Sequence, residues 1–216
     1  MALTLVPKVV PIRSRTITRQ RLIDAVGKVL AKEGFRHLGV NQVAREAGVD
    51  KKLIYRYFGG LPGLIAAYGE TVHFWPSADE LIGENRDRAG DMPPHRLMSL
   101  FFKRYAQAIL RRPQTLEILA WEGVERNELT RPLEDVRARS ALEFFELMGA
   151  DPPEDVDVTA LVIIMAGAMN FLAVRSRFYS ALGGVDLQSE QGWERIERTV
   201  DQIMEGVLGQ IRRSPD

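Results

Sequence analysis

The chain has 216 residues, of which 45% are hydrophobic and 27% are charged, and its formal net charge is zero. This composition is typical of a globular protein with a buried core and argues against a disordered chain. Cysteine is absent, which excludes disulfides and thiolate metal sites and suits a reducing compartment. The first fifteen residues include two prolines and no long apolar run, so we expect no signal peptide and a cytoplasmic location.

Charge is distributed unevenly along the chain. The first 60 residues carry 12 basic and 4 acidic side chains, whereas the remainder carries 17 basic and 25 acidic ones. A basic end joined to an acidic body favours contact between the first quarter of the chain and a polyanion. A solvated charged surface is the alternative interpretation.

A first helix is predicted from Thr18, a suitable N-cap, to Gly34, a suitable stop. Residues 1–17 precede it and are predicted to form a flexible basic arm. The apolar residues of this helix recur at three- and four-residue steps, as expected for one buried face: Leu22, Ile23, Val26, Val29 and Leu30.

Two short helices are predicted next. The first covers residues 40–47 and ends before Gly48, which supplies the positive φ that a tight turn between helices needs. Asp50 caps the second, which runs from Lys51 to about Phe58 and ends at two glycines.

The remaining chain is also predicted to be helical. Helix four extends from Pro62 to Trp75, where Pro76 interrupts it. Apolar stripes, prolines and caps predict five further helices: from Pro94, from Pro113, over about 129–148, over about 155–182, and after Ser189. No period-2 strand pattern is evident. The predicted fold is therefore all-α, with a first helical domain at 18–60 and a larger helical bundle at 61–216.

The third helix has two different faces. Ile54 and Phe58 lie four residues apart on one face, which we expect to pack inward. Cationic and aromatic side chains occupy the opposite face: Lys51, Lys52, Tyr55 and Arg56. Such a helix suits the major groove of DNA, where lysine and arginine can donate hydrogen bonds to guanine and tyrosine can reach phosphates.

The stretch VNQVAREAGVDKKLIYRYF resembles the helix-turn-helix of tetracycline-repressor-like (TetR/AcrR) transcriptional regulators. The matching residues are Val43-Ala44, Ala47-Gly48-Val49, Ile54-Tyr55 and Tyr57-Phe58. The resemblance implies an N-terminal three-helix DNA-binding domain followed by a helical ligand-binding and dimerisation domain. It also implies a transcriptional regulator, with repression as the usual mode.

The resemblance assigns DNA contacts to specific positions, namely Asn41, Lys51, Lys52, Leu53, Tyr55, Arg56 and Tyr57. Two positions depart from the family pattern. Gly39 replaces a threonine that caps a helix and binds phosphate, and Leu61 replaces a phosphate-binding lysine. We expect the basic residues Arg13, Arg15 and Arg19 to compensate by reaching the neighbouring groove; an arm that contacts nothing is the alternative.

The segment VTALVIIMAGAMNFLAV, residues 158–174, could suggest a membrane span. It has about 17 residues, which is marginal for crossing a bilayer, and it contains Thr159, Gly167 and Asn170. We therefore expect a buried helix and no membrane association. Two long apolar-faced final helices favour a homodimer with a four-helix interface, which would bind a near-palindromic operator in double-stranded DNA.

The body holds more aromatic residues and methionines than a thin bundle needs. The resemblance implies a small apolar or aromatic effector among the middle helices. Its binding would shift helix four and so alter the separation of the two reading helices. The candidate pocket residues are Phe102, Tyr105, Trp121, Glu122, Met165, Met169 and Asn170. Ordinary core packing is the alternative.

No enzyme is predicted. The three histidines are far apart in sequence, and neither a Walker phosphate loop nor a nucleophile-elbow pentapeptide occurs. We expect no catalytic residues, no cofactor and no metal. A helical protein-interaction adaptor without DNA binding is the alternative function, but it leaves Lys51, Lys52 and Arg56 unexplained.

Overall fold

The computed structural model describes residues 12–71, 73–125, 127–148 and 156–209, without the side chains of residues 12, 13, 85, 86, 147 and 148. The chain divides into two compact units, residues 1–69 and 70–216. Helices dominate both units, as the sequence predicts.

The described part of the first unit, residues 12–69, contains four α-helices: α1 Ile12–Glu33, α2 Val40–Ala47, α3 Lys52–Phe58 and α4 Leu61–Gly69. A 3₁₀ turn, Phe35–His37, links α1 to α2. The apolar stripe of α1 packs against α2 and α4, and its residues Leu22, Val26 and Val29 are fully buried. This core comprises Leu22, Val26, Val29, Phe35, Val43, Ile54, Leu64 and Ile65.

Helix α1 begins six residues before the predicted cap. The Thr18 hydroxyl donates a hydrogen bond to the Ser14 carbonyl, 2.8 Å away, as a threonine inside a helix commonly does. A flexible arm at residues 12–17 is therefore a wrong prediction, because these residues are helical. The predicted arm at residues 1–11 lies outside the described residues.

The turn between α2 and α3 has the predicted geometry. Gly48 adopts the left-handed conformation, with φ 66° and ψ 37°. The next amide, that of Val49, donates to the Ala44 carbonyl at 3.1 Å, which closes the carboxyl end of α2. At the start of α3, Asp50 Oδ1 accepts a hydrogen bond from the backbone N–H of Lys52 at 2.8 Å. This confirms that Asp50 satisfies an amide in the first turn.

Helix α4 ends at Gly69, so its predicted extension to Trp75 is wrong. Leu64, Ile65 and Tyr68 are buried, and α4 packs on α1 and α3. The first compact unit consequently includes α4, whereas the predicted domain boundary followed Gly60. Glycine and the β-branched residues that follow it are weak helix formers, which explains the early end.

A short helix that the sequence did not predict opens the second unit. Helix α5, Ala78–Ile82, is capped by Ser77, whose hydroxyl accepts from the Glu80 amide at 3.2 Å. A 3₁₀ segment, Gly83–Asp91, follows it. The longer helices of this unit are α6 Pro94–Leu110, α7 Pro113–Glu122, α8 Arg131–Met148, α9 Val158–Arg175 and α10 Glu190–Leu208.

Helix α6 lies at the centre of the second unit and packs against α5, α7, α9 and α10. Its fully buried residues include Met98, Phe102 and Ile109. The predicted cap of α10 is confirmed, since the Ser189 hydroxyl accepts from the Gly192 amide at 3.0 Å.

The segment between α9 and α10 differs from the prediction. Instead of a helix that continues to Leu182, a two-stranded antiparallel hairpin pairs β1, Ala181–Leu182, with β2, Val185–Asp186. Gly183 and Gly184 connect the strands with φ values of 56° and 78°. Two consecutive positive-φ residues are typical of a type I′ turn, which glycine pairs favour.

Helix α9 buries only one of its faces. Met165, Met169 and Ala173 are buried, while Ile163 and Ile164 are each 67% exposed. The prediction of a buried helix therefore holds for this one face within the single chain. Within the described ranges α9 is the one helix whose length and composition would allow it to cross a bilayer. Within the protein, 22% of this helix is buried.

Candidate nucleic-acid interface and ligand cavity

The outer face of α3 presents the cationic and aromatic side chains as predicted. Lys51, Lys52, Tyr55 and Arg56 are all exposed, with Tyr55 57% exposed. Ile54, on the opposite face, is completely buried and anchors the helix. Because the anchor and the exposed residues alternate at helical spacing, packing of the inner face orients the outer one.

The other predicted contact residues lie around this face. Asn41, near the start of α2, is exposed, and its Oδ1 accepts a hydrogen bond from Lys51 Nζ at 3.2 Å. The side chains of Leu53 and Tyr57 are only partly exposed. Gly39 precedes α2 with no side-chain cap, so the amino end of α2 retains backbone N–H groups that favour an anion.

Arginines from α1 cover the carboxyl end of α3. Arg19 Nη1 donates to the Tyr57 carbonyl at 2.7 Å, and its guanidinium lies 4.4 Å from the centre of the Phe58 ring. The Arg15 guanidinium lies 5.4 Å from the centre of the Tyr57 ring. Arg19 is half-buried in this contact, so it holds α3 to α1 instead of extending toward a neighbouring groove. The side chain of Arg13 is outside the described set.

A second polar link joins α1 to α2. The Lys32 ammonium donates to Glu46 Oε2 at 2.9 Å. This hydrogen bond, opposed by partial desolvation, holds the pKa of the Glu46 carboxyl below its ordinary value. The basic surface of the first unit thus contains one locally neutralised pair beside the exposed cations of α3.

The second unit contains a cavity of about 270 Å³ between α6, α8 and α9. Apolar and aromatic side chains form most of its wall, and a few polar groups are placed among them. Of the predicted pocket residues, Tyr105 and Asn170 line it. The other polar candidate, Glu122, forms an ion pair with Arg137, which does line it.

The remaining pocket candidates lie elsewhere. Phe102, Met165 and Met169 belong to the hydrophobic core beside the cavity, with exposures of 5% or less. Trp121 is partly exposed near the end of α7 and does not line the cavity. Sequence reasoning could not separate core from cavity here, because both require apolar residues on the inner faces of helices.

Tyr105 and Asn170 are joined inside the cavity. The Tyr105 hydroxyl donates to Asn170 Oδ1 at 2.6 Å. Burial raises the pKa of the Tyr105 phenol well above its ordinary value, against smaller opposing effects of Asn170 and Arg137. The phenol is therefore neutral at physiological pH and can serve as a hydrogen-bonding group.

Arg137 and Trp75 are among the cavity residues that were not predicted from the sequence. The guanidinium of Arg137 lies 5.5 Å from the centre of the Trp75 ring. Helical periodicity could have indicated Arg137, since it lies four residues after the buried Leu133 and three before the buried Ser140. No sequence signal indicated Trp75, because its position depends on the end of α4 and the turn that follows.

Comparison with known proteins identifies the segment that forms this interface. Residues 22–68, from α1 to α4, match the profile described as bacterial regulatory proteins of the tetR family. The helix-turn-helix of this chain is thus of the TetR type. The chain is accordingly a DNA-binding transcriptional regulator built from a helix-turn-helix unit and a helical bundle.

Similarity to individual TetR-family proteins extends over most of the chain. The chain is 26% identical over 187 residues to the HTH-type transcriptional repressor NicS of Pseudomonas putida. This match covers 81% of the chain and 84% of NicS. The structure of NalD, the secondary repressor of the MexAB-OprM efflux pump in Pseudomonas aeruginosa, matches with a TM-score of 0.61 and 18% identity. That match covers 90% of this chain and 98% of NalD.

The fatty acid degradation regulator FadR of Bacillus halodurans also shares the fold. Its TM-score is 0.56 and its identity 16%, over 91% of this chain and 97% of FadR. The TetR-family proteins to which the chain is similar are regulators and not enzymes. Within the described ranges, no cluster of three or more histidine, aspartate or glutamate residues could hold a metal ion.

Proposed function

We propose that the protein is a homodimeric transcriptional repressor of the cytoplasm that binds a near-palindromic operator through α3 and is released by a small effector. The exposed face of α3 carries this proposal. It combines Lys52, Arg56 and a tyrosine, with Lys51 directly before the helix, and the opposite side is anchored by the buried Ile54. These groups match the donors that base edges and phosphates accept in a major groove.

Dimerisation supplies the second reading helix. Two such helices about 34 Å apart would lie in successive major grooves of one face of the duplex. The outward faces of α9 and α10 are candidates for the dimer interface, because apolar side chains there are exposed in the single chain. They include Ile163, Ile164, Phe171, Ile203 and Val207.

The effector would bind in the cavity of the second unit. Aromatic side chains form part of the wall, and Tyr105, Arg137 and Asn170 add polar groups. Cavities of this composition suit small apolar or aromatic ligands. Release of DNA then requires that the effector bind the DNA-free geometry more tightly, by a few kcal/mol, than the DNA-bound one.

Operator binding can be tested with a double variant, Lys51→Ala with Arg56→Ala. The probe is a duplex that the wild-type protein selects from a random DNA library. We expect specific binding to be lost while helicity and dimer mass are unchanged. Lys28→Ala with Arg36→Ala is the control, because it removes two exposed cations outside α3 and α2.

Two results would contradict DNA reading by α3. One is unchanged affinity of the Lys51/Arg56 double variant for the selected duplex. The other is an equal loss in both double variants, which would indicate a general charge effect. Wild-type affinity should also fall steeply with salt, as counterion release requires. A protein-interaction adaptor would select no duplex and show no such slope.

The dimer interface has a separate test. Ile164→Asp places a charge in the exposed apolar face of α9 and should reduce the mass from twice 24.3 kDa to the single-chain value. Val124→Asp is the matched control, because Val124 is 82% exposed and lies in the loop after α7. Light scattering after size-exclusion chromatography measures both masses. A dimeric Ile164→Asp protein would exclude this part of α9 from the interface.

A further inference from the structure

The charge balance at the cavity wall limits what can bind there. We propose that the cavity takes an uncharged aromatic compound of one or two rings that carries a hydrogen-bond acceptor, and that Glu122 excludes carboxylates. The proposal rests on the proposed function, since it concerns the same effector cavity, and it specifies the chemical class of the ligand.

Arg137 is the cation at the cavity wall, and Glu122 already neutralises it. Arg137 Nη1 donates to Glu122 Oε1 at 3.0 Å, and Nη2 lies 2.8 Å from Oε2. This two-point contact is the preferred geometry of an arginine and a carboxylate. Only 19% of the Arg137 side chain and 13% of the Glu122 side chain are exposed, so water screens the pair weakly.

A carboxylate ligand would therefore introduce an uncompensated charge. Two carboxylates would then share one guanidinium in a region where solvation is poor. Burial raises the pKa of Glu122 even though Arg137 opposes this effect, and the negative charge of Glu134 raises it further. The site already disfavours one carboxylate, and a second would be less stable still.

The polar groups at the cavity offer hydrogen-bond donors. Arginine has five N–H groups, and the contact with Glu122 uses two of them. Asn170 uses its carbonyl oxygen to accept from Tyr105, which leaves its NH₂ group as a donor. The Ser140 hydroxyl donates to the Pro76 carbonyl at 3.1 Å. A ligand carbonyl or ring nitrogen is the complement to the donors on Arg137 and Asn170.

The size and the walls of the cavity define the rest of the ligand. A volume of about 270 Å³ lies just below the usual range of ligand cavities, which favours a ligand of one or two rings. Trp75, Phe101 and Tyr105 contribute aromatic surface, and Val162 and Ala166 contribute aliphatic surface. An aromatic ring can pack against these side chains while its acceptor group faces the donors.

The test compares matched ligands on the full-length protein. The probes are benzoate and 2-naphthoate, each with its primary amide and its methyl ester. We expect the amides and esters to bind wild type at least tenfold more tightly than the carboxylates, as measured by calorimetry. In Glu122→Gln this order should reverse, because Arg137 then lacks a counterion. In the double variant Glu122→Gln/Arg137→Gln the uncharged probes should again bind more tightly.

Several results would overturn the proposal. They are equal or tighter binding of the carboxylates by wild type, an unchanged order in a folded Glu122→Gln protein, and failure of every uncharged probe to bind wild type. If Glu122→Gln does not fold, the wild-type order alone decides. Release of operator DNA is measured separately with the same probes. Binding in the predicted order without release would contradict the proposed induction mechanism and leave the assignment of ligand class intact.

Discussion

The contact between Arg19 and α3 leads to a prediction about how a residue outside α3 affects DNA binding. Arg19→Ala removes the hydrogen bond to the Tyr57 carbonyl and the contact with the Phe58 ring. A hydrogen bond from a charged donor contributes about 1.5–3 kcal/mol. A cation over an aromatic ring at a partly exposed site adds about 0.5–1 kcal/mol.

We take the lower part of these ranges because Arg19 is only half-buried. Its removal should then destabilise the packing of α3 by about 2 kcal/mol. Operator binding has to restore that packing, and a difference of about 1.4 kcal/mol corresponds to a factor of ten. We therefore expect operator affinity to fall by up to about thirtyfold, with a lower melting temperature.

The dependence of affinity on salt separates this role from a direct phosphate contact. Loss of one phosphate contact reduces the slope of log affinity against log salt by about one. Arg19→Ala should leave that slope unchanged, as should the control Arg21→Ala, which removes an exposed cation from the same helix. Fluorescence anisotropy over a salt series measures the slope. A reduced slope in Arg19→Ala, or affinity equal to that of Arg21→Ala, would refute the positioning role.

Two further predictions concern the stability of the first unit. Gly63→Ala should lower the melting temperature, because the added Cβ would overlap the Phe58 carbonyl oxygen. Gly39→Ala is the control, because the space around Gly39 is open. Equal changes in melting temperature for the two variants would contradict the prediction. Burial raises the pKa of Tyr68 to about 12 in the folded protein. Above pH 10 the unfolded chain therefore loses the phenol proton of Tyr68 at a lower pH than the folded chain does. The free energy of unfolding should then fall by about 1.4 kcal/mol per pH unit between pH 10 and 12. In Tyr68→Phe the free energy of unfolding, measured by chemical denaturation, should fall less steeply. Parallel curves for the two proteins would contradict this prediction.

Local chemistry in the sequence was sufficient to predict the helix-turn-helix. The turn needs a residue with positive φ, and Gly48 has it; α3 needs an amide partner at its start, and Asp50 provides it. The division of α3 into a buried side at Ile54 and an exposed side at Arg56 follows from helical periodicity alone. These features depend on neighbours within a few residues, so a short window of sequence contains them.

Features that depend on distant residues could not be predicted in this way. The sequence suggested that Arg19 belongs to a DNA-contacting arm, but packing of α1 on α3 places it over Phe58. Glu122 and Arg137 are 15 residues apart on different helices, and only the arrangement of α7 and α8 pairs them. The long helix expected through Leu182 is instead interrupted, and a hairpin forms at Gly183-Gly184.

The sequence by itself determined the all-helical class, the turn at Gly48 and the charged face of α3, because helix periodicity, caps and glycine conformation act over one or two turns. Tertiary structure alone decided which buried side chains form core and which line the cavity. It also decided whether a cation such as Arg137 meets solvent or a carboxylate. Those outcomes depend on how helices distant in sequence pack together, since packing sets both the space and the dielectric around each group.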